Sequence, residues 1–131
     1  MNSQSNITVT ALVLLSVLGC GGSSTPASSD AGSSAVITIQ NFTFSPQNLT
    51  VPAGTNITVK NMDGVSHTVT SSTTPTSFTP GSVAGVSFDT GPFMGTANFT
   101  IPTGAPSGTV IPYYCKVHLS GMLNRPTITI Q

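Results

Sequence analysis

The chain has 131 residues, of which only 5% are charged, with three basic and three acidic side chains. This balance excludes the basic surface that nucleic-acid binding requires and a polybasic patch for anionic lipids. The length leaves room for one domain of about 100 residues. Thirteen glycines and ten prolines, among alternating Val, Ile and Phe, favour an all-β domain with many turns.

The N-terminal segment has the pattern of an export signal. The mostly apolar run from Ile7 to Gly19 is shorter than the ~20 residues that span a bilayer, which predicts a signal peptide over residues 1–19. Val17–Cys20 resembles the lipobox of bacterial lipoproteins, so Cys20 is expected to be lipidated. The alternative is an ordinary secretory signal that contains a cysteine by chance. We expect an exported protein, anchored to a membrane through Cys20 and facing the periplasm or the cell exterior.

Residues 20–34 are rich in Gly and Ser and have nothing to bury, which predicts a flexible linker. The folded domain is expected over residues 35–131. If Cys20 carries lipid, Cys115 stands alone and no disulfide is expected. An unpaired cysteine in an exported protein is open to oxidation unless a partner such as a metal occupies it.

Alternating apolar residues predict seven or eight short strands, arranged as a two-sheet sandwich or Greek-key barrel. The first strand is expected to bend near Gln40, because the apolar residues on its two sides alternate in opposite phases. Residues 71–85 lack periodicity and predict a long irregular loop. The other strands are predicted around Leu49–Val51, Asn56–Asn61, Val65–Val69, Ser87–Asp89, Ala97–Ile101, Thr109–Cys115 and Thr127–Gln131.

Three potential metal ligands lie within eight residues near the C-terminus: Cys115, His118 and Met122. The only other histidine, His67, shares the phase of neighbouring valines, which places its imidazole toward the core. Two imidazoles, one thiolate and one weak thioether are the ligand set of a mononuclear copper centre for electron transfer. Imidazole suits Cu(II), whereas thiolate and thioether suit Cu(I).

Other interpretations of these residues are less well supported. Zinc would need four strong ligands, and the chain offers two histidines and one available cysteine. A Cys–His catalytic pair would need a cleft and a third orienting group that the sequence does not reveal, so we do not expect an enzyme. A histidine among valines and a lone buried cysteine also fit inert core packing. The joint occurrence of all four donors favours the metal centre.

The segment from about Val36 to Gln131 resembles the cupredoxins, the small blue-copper proteins. The matching features are Phe44-Ser45-Pro46, the turn Val51–Gly54, Asn61 before His67, and Tyr113-Tyr114-Cys115 followed by His118 and Met122. The resemblance implies a cupredoxin-like Greek-key β-sandwich that binds one copper ion, alternating between Cu(I) and Cu(II). By the same resemblance, His67, Cys115 and His118 are equatorial ligands and Met122 is the long axial ligand.

Three features of the site differ from the family pattern or extend it. Val117 stands where plastocyanin-like members have proline, so its N–H and that of Thr68 are both expected to donate to the cysteine sulfur. Thr68 replaces the usual asparagine, which leaves the bracing between the two ligand loops open. Tyr114 is expected to point outward beside Cys115.

The resemblance implies a type 1 copper protein, a monomer that passes single electrons between redox partners at a membrane surface. Partners are expected to dock at an apolar patch around His118. Candidates for this patch are Gly64, Val65, Pro92, Phe93, Leu119 and Leu123. Because the domain carries a net charge of about +1, docking is expected to depend little on salt. The alternatives are a copper-binding module for storage or delivery, and an interaction domain whose metal is incidental.

Overall fold

The computed structural model describes residues 32–131. The predicted signal peptide, the lipobox and most of the predicted linker lie outside these residues. Within the described part, the chain contains eight β-strands and one short 3-10 helix, Leu119–Gly121, and no helix that is long and apolar enough to cross a membrane. The strands are β1 (Ser34–Gln40), β2 (Thr43–Ser45), β3 (Asn48–Val51), β4 (Asn56–Asn61), β5 (Thr70–Ser71), β6 (Thr96–Thr100), β7 (Val110–Tyr114) and β8 (Thr127–Ile130).

The strands form two four-stranded sheets, with orders β2-β1-β4-β6 and β3-β8-β7-β5. Each sheet contains one parallel pair, β1 with β4 and β3 with β8, and its other pairs are antiparallel. The two strands of each parallel pair are not consecutive in sequence, because parallel neighbours need a long crossover connection between them. The prediction of an all-β sandwich with seven or eight strands is confirmed.

The core lies between the inner faces of the two sheets. Alternate residues of each strand point inward, so the apolar positions of one sheet meet those of the other. Phe44 and Tyr113 join the two sheets, with ring centroids 5.1 Å apart in an edge-to-face arrangement. The fully buried aliphatic side chains are Ile37, Ile39, Ile57, Val59, Val69, Ile101, Ile111 and Ile128.

The predicted bent strand is wrong, because β1 and β2 form a hairpin. Gln40 pairs with Thr43, and the two residues between them, Asn41 and Phe42, have φ of 51° and 57°. Consecutive residues in the left-handed region match the twist of a tight hairpin turn. Asparagine tolerates this conformation, whereas phenylalanine does so rarely. The sequence pattern therefore revealed that the alternation of apolar residues changes phase near Gln40, but not that the chain reverses its direction there.

The connection between β5 and β6 is largely irregular, as predicted for residues 71–85. The predicted strand Ser87–Asp89 is wrong, because Asp89 forms only an isolated bridge to Thr70. Backbone and side-chain bonds attach this segment to β5 instead: Ser71 N–H donates to Phe88 O at 2.9 Å, and Phe88 N–H donates to Ser71 Oγ at 3.0 Å. The long connection therefore covers β5 rather than extending a sheet.

Candidate metal centre

Two segments bring the predicted ligands to one end of the sandwich. His67 lies on the connection between β4 and β5, and Cys115 directly follows β7. His118 and Met122 flank the 3-10 helix. Leu119 N–H donates to Cys115 O at 2.9 Å, which closes the loop and returns His118 toward the cysteine.

The three strongest donor atoms converge on one point. Cys115 Sγ lies 3.7 Å from His67 Nδ1 and 3.6 Å from His118 Nδ1, and the two nitrogens are 3.2 Å apart. In zinc sites, nitrogen and sulfur ligands lie about 2.0–2.3 Å from the ion, so donors that share one ion are about 3.1–3.8 Å apart. All three distances fall in this range. The geometry therefore fits a single first-row metal ion.

The electrostatics of the cluster also favour a cation. His67 is fully buried, and its Nε2 lies 3.0 Å from the Asp63 carboxylate. Burial lowers the pKa of His67 below its usual value, against the opposing effect of the Asp63 hydrogen bond. In a neutral His67, a proton on Nε2 can donate to Asp63 and leaves the Nδ1 lone pair facing Cys115 Sγ. Electron-pair donors that converge in this way are suited to hold a cation.

Met122, the fourth predicted donor, lies at the end of the ligand loop. It follows the 3-10 helix in an extended conformation and is only 4% exposed. A soft thioether beside a thiolate and two imidazoles selects copper over zinc, which prefers four strong nitrogen, sulfur or oxygen ligands. His67, Cys115, His118 and Met122 are thus positioned for a copper site, and copper, the predicted cofactor, fits them.

One of the two predicted donors to the cysteine sulfur is present. Thr68 N–H donates to Cys115 Sγ at 3.3 Å. Val117 N–H makes no bond to this sulfur among the residues that the structure describes, so that part of the prediction is wrong. The bracing that the sequence left open is provided by Thr68, whose hydroxyl accepts from Lys116 N–H at 2.7 Å. A threonine thus links the two ligand segments.

Comparisons with known proteins agree with the fold and the site. No family model matches the chain, and no curated protein does. Among solved structures, a purple cupredoxin from Nitrosopumilus maritimus is 26% identical, with a TM-score of 0.56 over 74% of this chain and 99% of that one. The domain has the cupredoxin fold, and its His-Cys-His-Met cluster is typical of blue copper proteins.

Two further solved structures support the cupredoxin fold. An oxidised amicyanin that carries a single substitution is 18% identical, with a TM-score of 0.53 over 74% of this chain and 81% of that one. A copper-containing nitrite reductase from Thermus scotoductus is 16% identical, with a TM-score of 0.52. That match covers 74% of this chain but only 22% of the reductase, so it corresponds to one part of a larger protein.

Sequence reasoning missed the role of Asp63. Its carboxylate contacts His67 and also accepts hydrogen bonds from Asn41 N–H at 2.6 Å and Phe42 N–H at 3.0 Å. The bond from Phe42, together with those from Asn41 and His67, holds the pKa of Asp63 below its usual value despite the opposing effect of burial. In the sequence, Asp63 is followed by glycine and resembles an ordinary turn residue.

Phe42 is the second residue that the sequence did not reveal. Its ring lies edge-on to both imidazoles, with centroids 5.4 Å from His67 and 4.8 Å from His118. The side chain is 36% exposed. The turn that carries Phe42 is bonded to the ligand loop as well, because Leu123 N–H donates to Phe42 O at 2.9 Å. Phe42 therefore covers one side of the imidazole pair.

The prediction that Tyr114 points outward to solvent is wrong, because its side chain does not reach the surface. Tyr114 is 2% exposed, and Phe78 from the long β5–β6 connection packs edge-on against it, with centroids 5.8 Å apart. Arg125 in turn covers Phe78, with its guanidinium 4.2 Å from the ring centre. The irregular loop, whose path the sequence did not specify, therefore shields Tyr114 from solvent.

The residues predicted to form an apolar patch around His118 are mostly exposed, and we call this set the apolar rim. Of the predicted members, Gly64, Val65, Pro92, Leu119 and Leu123 are exposed, and Phe93 is half-buried. Leu123 is 75% exposed, more than Val65 or Leu119. Phe42 and Met62 add exposed apolar area next to these residues. The charged side chains next to the rim are Asp63, which bonds inward to His67, and Arg125, whose guanidinium donates to Leu119 O at 3.4 Å.

Proposed function

We propose that this cupredoxin binds one copper ion and transfers single electrons. His67, Cys115 and His118 would hold the ion through two imidazoles and a thiolate, and Met122 would supply the weak thioether. The observation that carries the proposal is the convergence of the Cys115 sulfur and two imidazole nitrogens within 3.7 Å of one another. Copper, when bound, supplies a one-electron couple that this mixed donor set accommodates in both oxidation states.

The protein's contribution is to fix the donors while the charge changes. Cys115 is fully buried, which excludes water and oxidants from its sulfur. Thr68 N–H donates to that sulfur, a bond that favours the electron-rich state. Because the donors belong to segments tied together by the Thr68–Lys116 hydrogen bond, little rearrangement accompanies a change in charge.

We propose that redox partners dock at the apolar rim, where the half-buried His118 comes nearest to solvent. Three basic against two acidic side chains give the described domain a net charge of +1. Encounter is therefore driven by apolar contact and steered only weakly by charge. The protein acts as a monomeric carrier rather than an enzyme. In support, this chain matches 99% of the small purple cupredoxin but only 22% of the nitrite reductase.

Two rates separate electron transfer from copper storage or delivery. The first is electron self-exchange between the Cu(I) and Cu(II) forms of the full chain, measured by NMR line broadening. The second is transfer of Cu(I) to a competing chelator. A carrier exchanges electrons quickly and releases Cu(I) slowly. Fast Cu(I) release with slow self-exchange would contradict the proposal and favour delivery.

We also propose that the domain is tethered to a membrane on the periplasmic or outer side through lipidated Cys20. The support is the Val17–Cys20 motif and the Gly/Ser-rich segment after it, most of which lies outside the described residues. Detergent phase partitioning of the expressed protein and of a Cys20→Ser variant tests this. The wild-type chain should enter the detergent phase and the variant should remain in the aqueous phase. Equal partitioning would refute the anchor.

A further inference from the structure

One carboxylate connects a proposed copper ligand with the turn that covers it. Asp63 Oδ2 lies 3.0 Å from His67 Nε2 and 3.0 Å from Phe42 N, and Asp63 Oδ1 accepts from Asn41 N–H at 2.6 Å. Three N–H groups from two separate parts of the chain thus converge on two oxygens. Two of them belong to a hairpin turn whose residues both have positive φ.

The carboxylate is itself held in place. Asp63 N–H donates to Asn61 Oδ1 at 2.9 Å, and Asn61 Nδ2 donates to Val65 O at 2.8 Å and to Phe93 O at 3.2 Å. Asn61 is 7% exposed and ends β4. The segment from Asn61 to His67 is therefore cross-linked internally, so Asp63 has little freedom to turn away from the imidazole.

We propose that Asp63 is a positioning residue for the centre, which selects the Nε2–H tautomer of His67 and holds Phe42 against both imidazoles. This inference rests on the proposed copper-binding function. Of the two neutral tautomers, only the one with hydrogen on Nε2 can donate to the carboxylate, and it leaves Nδ1 free as an electron-pair donor. A carboxylate on the outer nitrogen of a ligand histidine also raises the basicity of the inner nitrogen.

The second effect acts through the turn. A phenylalanine at φ 57° is unfavourable, so the turn needs bonds from elsewhere to persist. Asp63 supplies two of them, to consecutive N–H groups. Without them the turn can relax, and the Phe42 ring can leave the edges of His67 and His118. A single side chain outside the ligand set therefore controls both the orientation of one imidazole and the cover over the pair.

The test compares the full chain with Asp63→Asn and Asp89→Asn variants. Asparagine keeps the size of Asp63 but has one acceptor oxygen, so it cannot accept from all three N–H groups. Asp89→Asn removes the same charge from a side chain that bonds Lys116, Thr70 and Gly91 and does not contact His67. It is the matched control for charge.

Two readouts concern the metal-free protein. Long-range proton–nitrogen NMR of the imidazoles should show one Nε2–H tautomer for His67 in the wild-type chain and in Asp89→Asn, and a mixture in Asp63→Asn. The ring protons of Phe42 should lose their imidazole-induced shifts in Asp63→Asn alone. A dominant Nδ1–H tautomer in the wild-type chain would overturn the proposal even if Asp63→Asn does not fold.

Two readouts concern the copper-loaded protein. Asp63→Asn should raise the reduction potential, because loss of the carboxylate destabilises Cu(II) more than Cu(I), and should weaken Cu(II) binding by about 10–100-fold. Unchanged tautomer, ring shifts and potential would overturn the role of Asp63 and leave the electron-transfer proposal intact. If instead the wild-type chain fails to bind copper, the proposed function fails, while the metal-free NMR still decides whether Asp63 positions His67 and Phe42.

Discussion

Thr68 and Lys116 are joined by a hydrogen bond of 2.7 Å from the Lys116 backbone N–H to the Thr68 hydroxyl. Thr68 follows His67 and Lys116 follows Cys115, so this bond links the two ligand-bearing segments directly beside the donors. The same threonine donates its own N–H to the Cys115 sulfur at 3.3 Å. Thr68 is fully buried, which strengthens both bonds and makes the loss of either one costly.

Thr68→Val should therefore destabilise the metal-free protein. The substitution keeps the shape of the side chain but leaves the Lys116 N–H without its acceptor, at an expected cost of about 1–3 kcal/mol in the free energy of unfolding. Chemical denaturation measures it. Thr68→Ser, which retains the hydroxyl, is the control and should recover most of the loss. Equal stability of Thr68→Val and wild type would show that the bond contributes nothing.

Val117→Pro should leave the reduction potential unchanged. The substitution removes an N–H that makes no bond to the Cys115 sulfur among the described residues, and Val117 itself is 49% exposed. Only the Thr68 N–H then tunes the sulfur from the backbone. Protein-film voltammetry of the two copper-loaded proteins makes the comparison. A lower potential in the variant would reveal a Val117 N–H bond to sulfur.

The candidate ligand residues could be proposed from the sequence because three of them lie within one loop. Cys115, His118 and Met122 have a spacing that only a few functions use, and His67 is the one remaining histidine. The strand predicted around Val65–Val69 is wrong, because His67 forms only an isolated bridge to Phe93 on the connection between β4 and β5. Copper as the cofactor followed from the softness of these donors. Most of the strands were predictable as well, because side chains that alternate between apolar and polar indicate a strand with one buried face.

The surroundings of the site could not be predicted, because they depend on contacts between distant residues. Asp63 acquires its role only when the β1–β2 turn folds over it, more than 20 positions away in sequence. Phe42 belongs to a hairpin, whereas the apolar pattern predicted a bent strand at this position. Phe78 lies in a segment without periodicity, so nothing in the sequence indicated that it would cover Tyr114.

Tyr113→Phe should stabilise the protein. The Tyr113 hydroxyl is buried without a hydrogen-bond partner among the described residues, which costs free energy that phenylalanine does not incur. We expect a gain of about 1 kcal/mol near neutral pH, measured by chemical denaturation. A loss of stability would show that the hydroxyl has a partner in solution.

The same variant should differ more from wild type in alkali. Burial raises the pKa of Tyr113 well above its usual value. Below the unfolded-state pKa of about 10, the phenol is protonated in both states and its contribution to stability is constant. As the pH rises from there toward the higher folded-state pKa, only the unfolded state loses its proton, so the wild-type protein loses stability. The stability advantage of Tyr113→Phe should therefore grow above about pH 10. A constant advantage would contradict burial of the phenol.

Leu123→Lys should slow electron self-exchange. Two molecules that meet through their apolar rims would bring two lysines together, and a penalty of about 1.4 kcal/mol already corresponds to a tenfold slower reaction. The control is Val110→Lys, which adds the same charge at an exposed position at the far end of β7 from Cys115. NMR line broadening at low salt measures both rates. Equal slowing by both variants would indicate a net-charge effect rather than docking at the rim.

The central claim is that the Cys115 sulfur and the two imidazole nitrogens bind one copper ion. Visible absorption of the Cu(II)-loaded full chain, recorded beside Cys115→Ser, tests it most directly. Direct bonding of the thiolate to Cu(II) should give an intense charge-transfer band in the wild-type protein, and serine at position 115 should abolish it. A wild-type protein that binds Cu(II) without such a band, or a band that survives in Cys115→Ser, would contradict the account.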